Sequence, residues 1–431
     1  MIEQVLNFGF GWCYMDSIQI QGGVALQGKV RIQGSKNAAL PVLAATLLTK
    51  ETSCIHNCPR IADVHKMVSL LRSLGCSVMW EDGGVRINAS DVCTCRMPGE
   101  AITGMRSSLC LLGALIGRCG EVEMEYPGGC VIGKRPIDLH LKALSSMGVQ
   151  FSEEAGRLKA SAKQLHGAYI ELPIPSVGAT ENILLAAVAA KGDTWIEGAA
   201  MEPEVEALCR YLEKCGACME GIGTKHLIVH GGRTLYGADY RIQADRIVAG
   251  TYLFGCIGVG GSVLLEEAPV LQMRAVLQTA EQMGGRIYSA KEGIYVQAPD
   301  RPRAVGRIVT ASYPGFPTDL QSMVLAVMTV AEGKTLVEER IFENRFRVAK
   351  ELISMGADIR LSDTGTAEVS GVSGLCGNVV EAKELRGGAA LVLAGLMAEG
   401  VTTISGCSYI YRGYENICKD LRELGARIVS V

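Results

Sequence analysis

The chain has 431 residues, of which 48% are hydrophobic and 20% are charged, and its formal net charge at pH 7 is −3. A composition of this kind is typical of a globular protein, and the length allows two domains or more. The charge and an aromatic content of only 5% argue against a nucleic-acid partner, although a local basic pocket stays open. No apolar run approaches the ~18 residues that a membrane-spanning helix needs, so no membrane partner is expected.

The first fourteen residues stand apart from the rest of the chain. They contain Glu3 and no Lys or Arg, so they lack the positive region of a secretory signal. Met15 then opens the stretch MDSIQIQGG, which resembles a natural start. We therefore interpret residues 1–14 as a leader or a mis-called start.

The sixteen cysteines are scattered, and a chain of this length does not need disulfide bonds for its stability. Free thiols in a reducing cytoplasm are expected. Two short-range pairs, Cys215 with Cys218 and Cys93 with Cys95, have no further cysteines or histidines at the spacing of a zinc site. We interpret both pairs as structural and expect neither a metal nor a cofactor.

The most informative feature of the chain is an internal repeat. A helix-like apolar pattern ends in a glycine and runs into a β-rich stretch six times, at intervals of 68 to 73 residues. Glycine suits the left-handed position that follows a helix, where a Cβ would be strained. The six glycines are Gly75, Gly148, Gly216, Gly284, Gly356 and Gly425.

A second kind of helix recurs between these copies. It is apolar on almost every face, as in LCLLGALIG (109–117), which predicts a buried helix. A strand-like stretch follows each time, as in DTWIEGAA and KTLVEERIF. Each unit is thus predicted to hold strands, one amphipathic helix and one buried helix. Six such units suggest two α/β domains of three units each.

The buried helices carry their polar residues mostly at the N-terminal end. Helix N-termini expose unpaired N–H groups and the positive end of the dipole, so they attract anions. Ser176 and Asp319 have the residue types of ordinary N-caps, and the basic residues could be solvated. However, Lys and Arg at an N-terminus oppose the dipole, so their repetition predicts a phosphorylated ligand. The residues are Lys36, Asn37, Arg106, Ser176, Arg246, Asp319 and Arg386.

One loop stands out for its chemistry. The stretch YPGGCVIGKRP (126–136) places Cys130 between a glycine pair and a glycine–lysine–arginine turn. In a chain with sixteen cysteines a thiol is more often structural than catalytic. The loop alone therefore leaves the role of Cys130 open.

Seven segments in a fixed order give the chain a family resemblance, which runs from about residue 15 to the C-terminus. It resembles the UDP-N-acetylglucosamine 1-carboxyvinyltransferase family of enolpyruvyl transferases. One such segment would be a weak signal, but seven of them on a sixfold repeat are specific. The segments are GSKNAALP (34–41), PGGCVIGKRPIDLH (127–140), SVGATEN (176–182), FPTDLQ (316–321), FENRF (342–346), LRGGAALVLAG (385–395) and RGYENI (412–417).

The resemblance implies two inside-out α/β domains, each with three repeated strand–helix units and pseudo-threefold symmetry. The chain would cross between them near residues 34–36 and 243–246. One domain would then comprise residues 36–243, and the other residues 15–35 and 244–431. The N-termini of the buried helices would point into the cleft between the domains, where the active site would lie.

The resemblance also implies the reaction. The enolpyruvyl group of phosphoenolpyruvate would pass to the 3′-hydroxyl of UDP-N-acetylglucosamine, with release of phosphate. This chemistry requires a proton for the methylene carbon and a base for the hydroxyl, with the phosphates held throughout. The partners are therefore the two substrates, and the protein is expected to act as a monomer in peptidoglycan synthesis.

Residue roles follow from the same match. Cys130 matches a general acid that also forms an adduct with phosphoenolpyruvate, and Lys134 and Arg135 would stabilise its thiolate. Asp319 matches a candidate base at the sugar hydroxyl. Lys36, Asn37, Arg135, Arg345, Arg386 and Arg412 match residues that hold phosphoenolpyruvate and the intermediate. The matches to the nucleotide-sugar contacts are Arg106, Arg135, Pro136, Ile137, Asp138, Leu139, Ser176, Val177, Gly178 and Ile341.

The chain also departs from the family pattern. Met201 stands where an arginine is frequent, Val248 where a glutamate is frequent, Glu384 where an aspartate is usual and Tyr411 where an acid is usual. None of these removes a group that we assign to chemistry, so the departures suggest a divergent paralogue. Two alternatives stay open: a slow, nucleotide-sugar-binding regulatory protein, and a shikimate 3-phosphate enolpyruvyl transferase, against which the cysteine loop argues.

Overall fold

Six β–α units follow one another along the chain. The computed structural model describes residues 17–97, 106–125, 133 and 136–431. The strands of the first half are β1 (Ser17–Gln21), β2 (Leu26–Arg31), β3 (Thr52–His56), β4 (Ser77–Glu81), β5 (Gly84–Asn88), β6 (Glu121–Glu125), β7 (Gln150–Glu154), β8 (Arg157–Ser161), β9 (Tyr169–Glu171), β10 (Asp193–Glu197), β11 (Cys218–Glu220), β12 (His226–His230) and β13 (Asp239–Arg241).

The second half repeats the same pattern. Its strands are β14 (Gly261–Glu266), β15 (Arg286–Ala290), β16 (Gly293–Gln297), β17 (Arg307–Val309), β18 (Lys334–Glu338), β19 (Asp358–Ser362), β20 (Thr366–Ser370), β21 (Leu375–Cys376), β22 (Val379–Glu381), β23 (Ala398–Glu399), β24 (Val401–Ser405) and β25 (Arg427–Ser430).

The helices alternate between two types, as the repeat predicts. The helices that end at the repeat glycines are α2 (Ala62–Ser73), α4 (Asp138–Ser146), α6 (Pro203–Lys214), α8 (Arg274–Gln282), α10 (Ala349–Ser354) and α12 (Ile417–Glu423). The buried helices are α1 (Lys36–Ala45), α3 (Cys110–Cys119), α5 (Val177–Ala187), α7 (Arg246–Val259), α9 (Gln321–Met328) and α11 (Leu385–Met397). The prediction of a buried helix at 109–117 is confirmed, because Cys110 to Ile116 are all buried.

The six repeat glycines end their helices as predicted. Their φ angles lie between 91° and 105°, in the left-handed region that favours glycine. Each glycine turns the chain from the helix into the next strand, so the period read from the sequence is the period of the fold.

Each unit builds one small sheet. Among the described strands, in five of the six sheets the first strand of the unit pairs antiparallel with one neighbour and parallel with another, as β10 does with β12 and β9. The sheet β6-β8-β7 is antiparallel throughout. The sheet orders are β13-β3-β5-β4, β6-β8-β7 and β11-β12-β10-β9 in the first half, and β15-β16-β14-β2, β17-β18-β20-β19 and β22-β24-β1-β25 in the second.

The N-terminal strand completes the last sheet. β1 lies between β24 and β25, antiparallel to both, with Ile18 opposite Ile404 and Ser430. The chain start therefore supplies the third strand of the sixth unit.

The buried side chains form two separate cores. Core I contains residues from Ala38 to Ile242, and core II contains Ile18 to Ile32 together with Ala244 to Ile428. The fold is thus an α/β fold of two domains with three units each. Two chain segments join the cores side by side: Ser35 N donates to Gln243 O at 2.8 Å, and Asp245 N donates to Gln33 O at 2.8 Å.

Two properties bear on the environment of the protein. None of the helices in the described ranges is long and apolar enough to cross a membrane. The fourteen cysteines in those ranges are free thiols, with no disulfide among them.

Candidate active site

The two connecting segments place a helix start from each core side by side. Ser35 caps α1 by accepting from Ala38 N, and Asp245 caps α7 by accepting from the backbone N–H groups of Ile247 and Val248. Asp245 also accepts from Lys36 N at 3.1 Å. The positive ends of α1 and α7 therefore share one buried carboxylate, which brings Lys36 to the boundary between the cores.

Lys36 and Arg412 meet at Asp63. Lys36 Nζ lies 3.1 Å from Asp63 Oδ2, and Arg412 places Nε 2.9 Å from Oδ1 and Nη2 3.3 Å from Oδ2. Asp63, in the first turn of α2, is 1% exposed. Burial would raise the pKa of Asp63, but the two cations outweigh it and hold that pKa below its usual value. Asn37 follows Lys36 in the first turn of α1 and is half-buried.

Asp319 lies between two arginines. Arg345 Nη2 is 2.7 Å from its Oδ1, and Arg386 Nη2 is 2.7 Å from its Oδ2. Both arginines are buried. Burial would raise the pKa of Asp319, but Arg386 and Arg345 hold it far below the usual range. The interpretation of Asp319 as a plain N-cap is wrong: it lies inside a 3₁₀ turn (Thr318–Leu320), and its side chain makes no cap hydrogen bond.

The boundary between the cores is also crossed by a buried ion pair. Arg246, the first residue of α7, forms a bidentate pair with Glu204 of α6, at 2.9 and 3.1 Å. Glu202 Oε1 accepts from Tyr313 N at 3.2 Å. The expectation of solvated basic residues at the helix starts fails here, because Arg246 and Arg386 are both buried against carboxylates of the chain itself.

The start of α4 lies against the start of α5. Ser176 is the N-cap of α5 and accepts from Ala179 N. A Cβ on Gly178 would lie 3.1 Å from His140 Cε1, and His140 Nδ1 contacts Asn182 Nδ2 at 3.0 Å. Two segments matched to the nucleotide-sugar contacts, 136–139 and 176–178, are therefore neighbours. Within them, Ile137 is buried, Leu139, Val177 and Gly178 are half-buried, and Pro136 and Asp138 are exposed.

The remaining candidates are the cysteine loop, Arg106 and Ile341. Cys130, Lys134 and Arg135 are outside the described residues, and Arg106 begins the 3₁₀ turn (Arg106–Leu109) that leads into α3. Gly133 of the loop lies so close to Glu343 that a Cβ would clash with its carboxylate. Ile341 is 39% exposed, and its N–H donates to Glu339 Oε1 at 2.8 Å. Gly133 therefore lies beside the segment of core II that carries Ile341 and Glu343.

The pairs form one electrostatic cluster. Lys36 interacts electrostatically with Asp63, Arg386, Arg412 and Asp319. Burial, together with the two arginines, lowers the pKa of Lys36. A site with four cations and two carboxylates can bind an anionic ligand through charge-assisted hydrogen bonds. The sequence analysis did not predict Asp63 as a site residue. The signal available for it was an acidic residue in the first turn of the helix that follows β3.

Solved structures share this fold. The enolpyruvyl transferase NikO from Streptomyces tendae superposes with a TM-score of 0.86 at 24% identity, over 96% of this chain and 98% of that one. EPSP synthase from Acinetobacter baumannii gives a TM-score of 0.73 at 20% identity, over 96% and 99%. At these identities the similarity concerns the fold, which is that of the enolpyruvyl transferases.

Comparison with related sequences shows the family to which the chain belongs. The model of the family EPSP synthase (3-phosphoshikimate 1-carboxyvinyltransferase) matches residues 20–421, and the chain belongs to this family of enolpyruvyl transferases. It is 43% identical to UDP-N-acetylglucosamine 1-carboxyvinyltransferase 2 of Caldanaerobacter subterraneus, over 97% of this chain and 100% of the relative. It is 44% identical to UDP-N-acetylglucosamine 1-carboxyvinyltransferase of Nitratidesulfovibrio vulgaris, over 96% and 99%.

Proposed function

We propose that this protein transfers the enolpyruvyl group of phosphoenolpyruvate to the 3′-hydroxyl of UDP-N-acetylglucosamine and releases phosphate. The observation that carries the proposal is the identity of 43 to 44% over nearly the whole chain to relatives named for this activity. The shikimate alternative is disfavoured, because these relatives are named for the nucleotide-sugar substrate.

The reaction proceeds by addition and elimination. The methylene carbon of phosphoenolpyruvate gains a proton, and the sugar oxygen bonds to the neighbouring carbon as its own proton leaves. The tetrahedral intermediate then loses a proton from the new methyl group and expels phosphate, which restores the double bond. The protein must supply an acid and a base and hold a dianionic phosphate through both steps.

The roles of the residues are part of the proposal. Cys130 is the general acid, and Asp319 accepts the proton of the sugar hydroxyl. Lys36 and Arg412 bind the phosphate, because their side chains already converge on the carboxylate of Asp63. Arg345 and Arg386 would move from Asp319 to the carboxylate of the ligand, which would raise the pKa of Asp319 and make it a base.

The remaining binding residues are assigned to one or the other of the two substrates. Asn37 and Arg135 assist at phosphoenolpyruvate. The nucleotide sugar is held by Arg106, Arg135 to Leu139, Ser176 to Gly178, and Ile341.

The domain boundaries are proposed at the paired connecting segments, 34–36 and 243–246. The hydrogen bonds between Ser35 and Gln243 and between Asp245 and Gln33 support this division, since they tie the two crossings together. The two domains would then move about one hinge. We further propose that the enzyme acts in the cytoplasm as a monomer and supplies peptidoglycan synthesis.

Phosphate release tests the proposed function. Purified protein is mixed with phosphoenolpyruvate and either UDP-N-acetylglucosamine or shikimate 3-phosphate. Release is expected only with the nucleotide sugar. Release only with shikimate 3-phosphate would contradict the proposal, and tight nucleotide-sugar binding without turnover would favour a regulatory protein.

A further inference from the structure

Asp63 joins two cations that belong to different cores. Its carboxylate contacts Lys36 Nζ of α1 at 3.1 Å and Arg412 Nε at 2.9 Å, and Arg412 lies 349 residues further along the chain. Asp63 is 1% exposed, whereas the side chains of Lys36 and Arg412 are 12% and 30% exposed. The carboxylate thus lies beneath the two cations, which keep a face toward solvent.

We infer that Asp63 is a positioning residue that holds the ammonium group of Lys36 and the guanidinium group of Arg412 together as one phosphate-binding pair. The inference rests on the proposed function, because that function places phosphate at these two residues. Without a carboxylate between them, two neighbouring cations repel each other and the pair separates with its two cores.

Asp63 also controls the charge of Lys36. The charged groups that face Lys36 in the described ranges are Asp63, Arg412, Arg386 and Asp319, while Asp245 binds its backbone N–H. Burial and the two arginines lower the pKa of Lys36, and Asp63 is the strongest of the groups that raise it. Removal of Asp63 therefore lets Lys36 lose its proton at a lower pH.

The test is the pH profile of kcat/KM for phosphoenolpyruvate in Asp63→Asn. The alkaline limb is expected to move down by about 1–3 pH units, the effect of losing an opposite charge at contact distance. KM for phosphoenolpyruvate should rise more than kcat falls. Calorimetry with inorganic phosphate alone should show binding weakened at pH 9, by about tenfold for each pH unit that the limb moves.

Three variants separate positioning from a merely structural effect. Asp82→Asn removes an exposed carboxylate from the same core and should leave the profile unchanged. Asp63→Glu keeps the charge and should keep the alkaline limb near that of the wild type. In a Lys36→Arg background, Asp63→Asn should not move the limb, because arginine keeps its proton over this pH range.

Opposite results would overturn the inference. If Asp63→Asn binds phosphate more tightly at every pH and its alkaline limb does not move, Asp63 acts only as a competing anion. If Asp63→Asn does not fold, Asp63→Glu decides: an alkaline limb at clearly lower pH than that of Asp82→Asn would refute the role in charge control. If the wild type releases no phosphate, the proposed function fails, while phosphate calorimetry still tests the pairing of Lys36 with Arg412.

Discussion

Asp319, which is half-buried, and the buried Arg386 form an ion pair that joins two units of core II. Arg386 Nη2 lies 2.7 Å from Asp319 Oδ2, and Arg345 approaches the other oxygen equally closely. A carboxylate between two guanidinium groups keeps its negative charge but holds a proton poorly, since its pKa is far below the usual range. Asp319 can thus serve as a base only when an anionic ligand draws the arginines away.

Asp319→Asn tests the role of this carboxylate. The substitution keeps the shape and removes the proton acceptor, so kcat should fall by about 10²- to 10⁴-fold. Binding of UDP-N-acetylglucosamine, measured by calorimetry, should change much less than kcat. Asp358→Asn is the control, because the side chain of Asp358 in β19 is 46% exposed. A rate for Asp319→Asn equal to that of the control would exclude Asp319 as the base.

Cys130→Ser tests the cysteine loop. A serine hydroxyl is a far weaker acid than a thiol, so phosphate release should be largely lost. The epoxide antibiotic fosfomycin should alkylate Cys130 in the wild type. Peptide mass spectrometry would locate the adduct, and an adduct on another cysteine would show that the assignment is wrong.

Glu204→Gln should destabilise the protein. It leaves the guanidinium group of Arg246 buried without its bidentate partner, at a cost of about 3–5 kcal/mol in the free energy of unfolding. Urea denaturation measures this change. The double variant Glu204→Leu with Arg246→Met replaces both charges by apolar groups and should be more stable than Glu204→Gln. If the double variant is the less stable one, the ion pair itself contributes net stability.

Glu181 predicts a dependence of stability on pH. It is buried in α5, and burial followed by the charges of Glu204 and Glu202 raises its pKa to about 8 from 4.5. Between those values the unfolded chain releases this proton and the folded chain keeps it, so stability falls as the pH rises. The loss is on the order of 5 kcal/mol across the window. In Glu181→Gln this part of the slope should vanish, as measured by urea midpoints from pH 5 to 8.5, whereas the exposed Glu171→Gln should keep it.

Two repeat glycines offer a matched pair. Both Gly75 and Gly425 have left-handed backbones, with φ of 105° and 91°. Alanine at Gly425 meets open space, so it should cost only the left-handed strain of about 1–2 kcal/mol. Alanine at Gly75 would also clash with the backbone carbonyl of Asp91 and should cost clearly more. Equal thermal destabilisation of the two variants would contradict this reasoning.

The sequence alone determined the repeated units. Local patterns of residues predict buried helices, strands and the glycines that end helices. The helices α7 and α11 could therefore be predicted from their apolar faces, and the role of Gly425 from its position after a helix. The family resemblance depended on short segments in order, and it supplied the expected acid, Cys130, whose surroundings lie outside the described residues.

Only the tertiary structure decided which charges meet. Asp319 looked like a cap from its neighbours, yet its partner Arg386 is 67 residues away, and Asp63 finds Arg412 at a separation of 349 residues. The pair of Asp63 with Arg412 forms because the paired connecting segments bring helix starts from two cores together, whereas Asp319 and Arg386 meet between two units of core II. No local sequence pattern predicts these ion pairs. The energy of an ion pair depends on the distance between the charges and on their burial, not on their spacing along the chain.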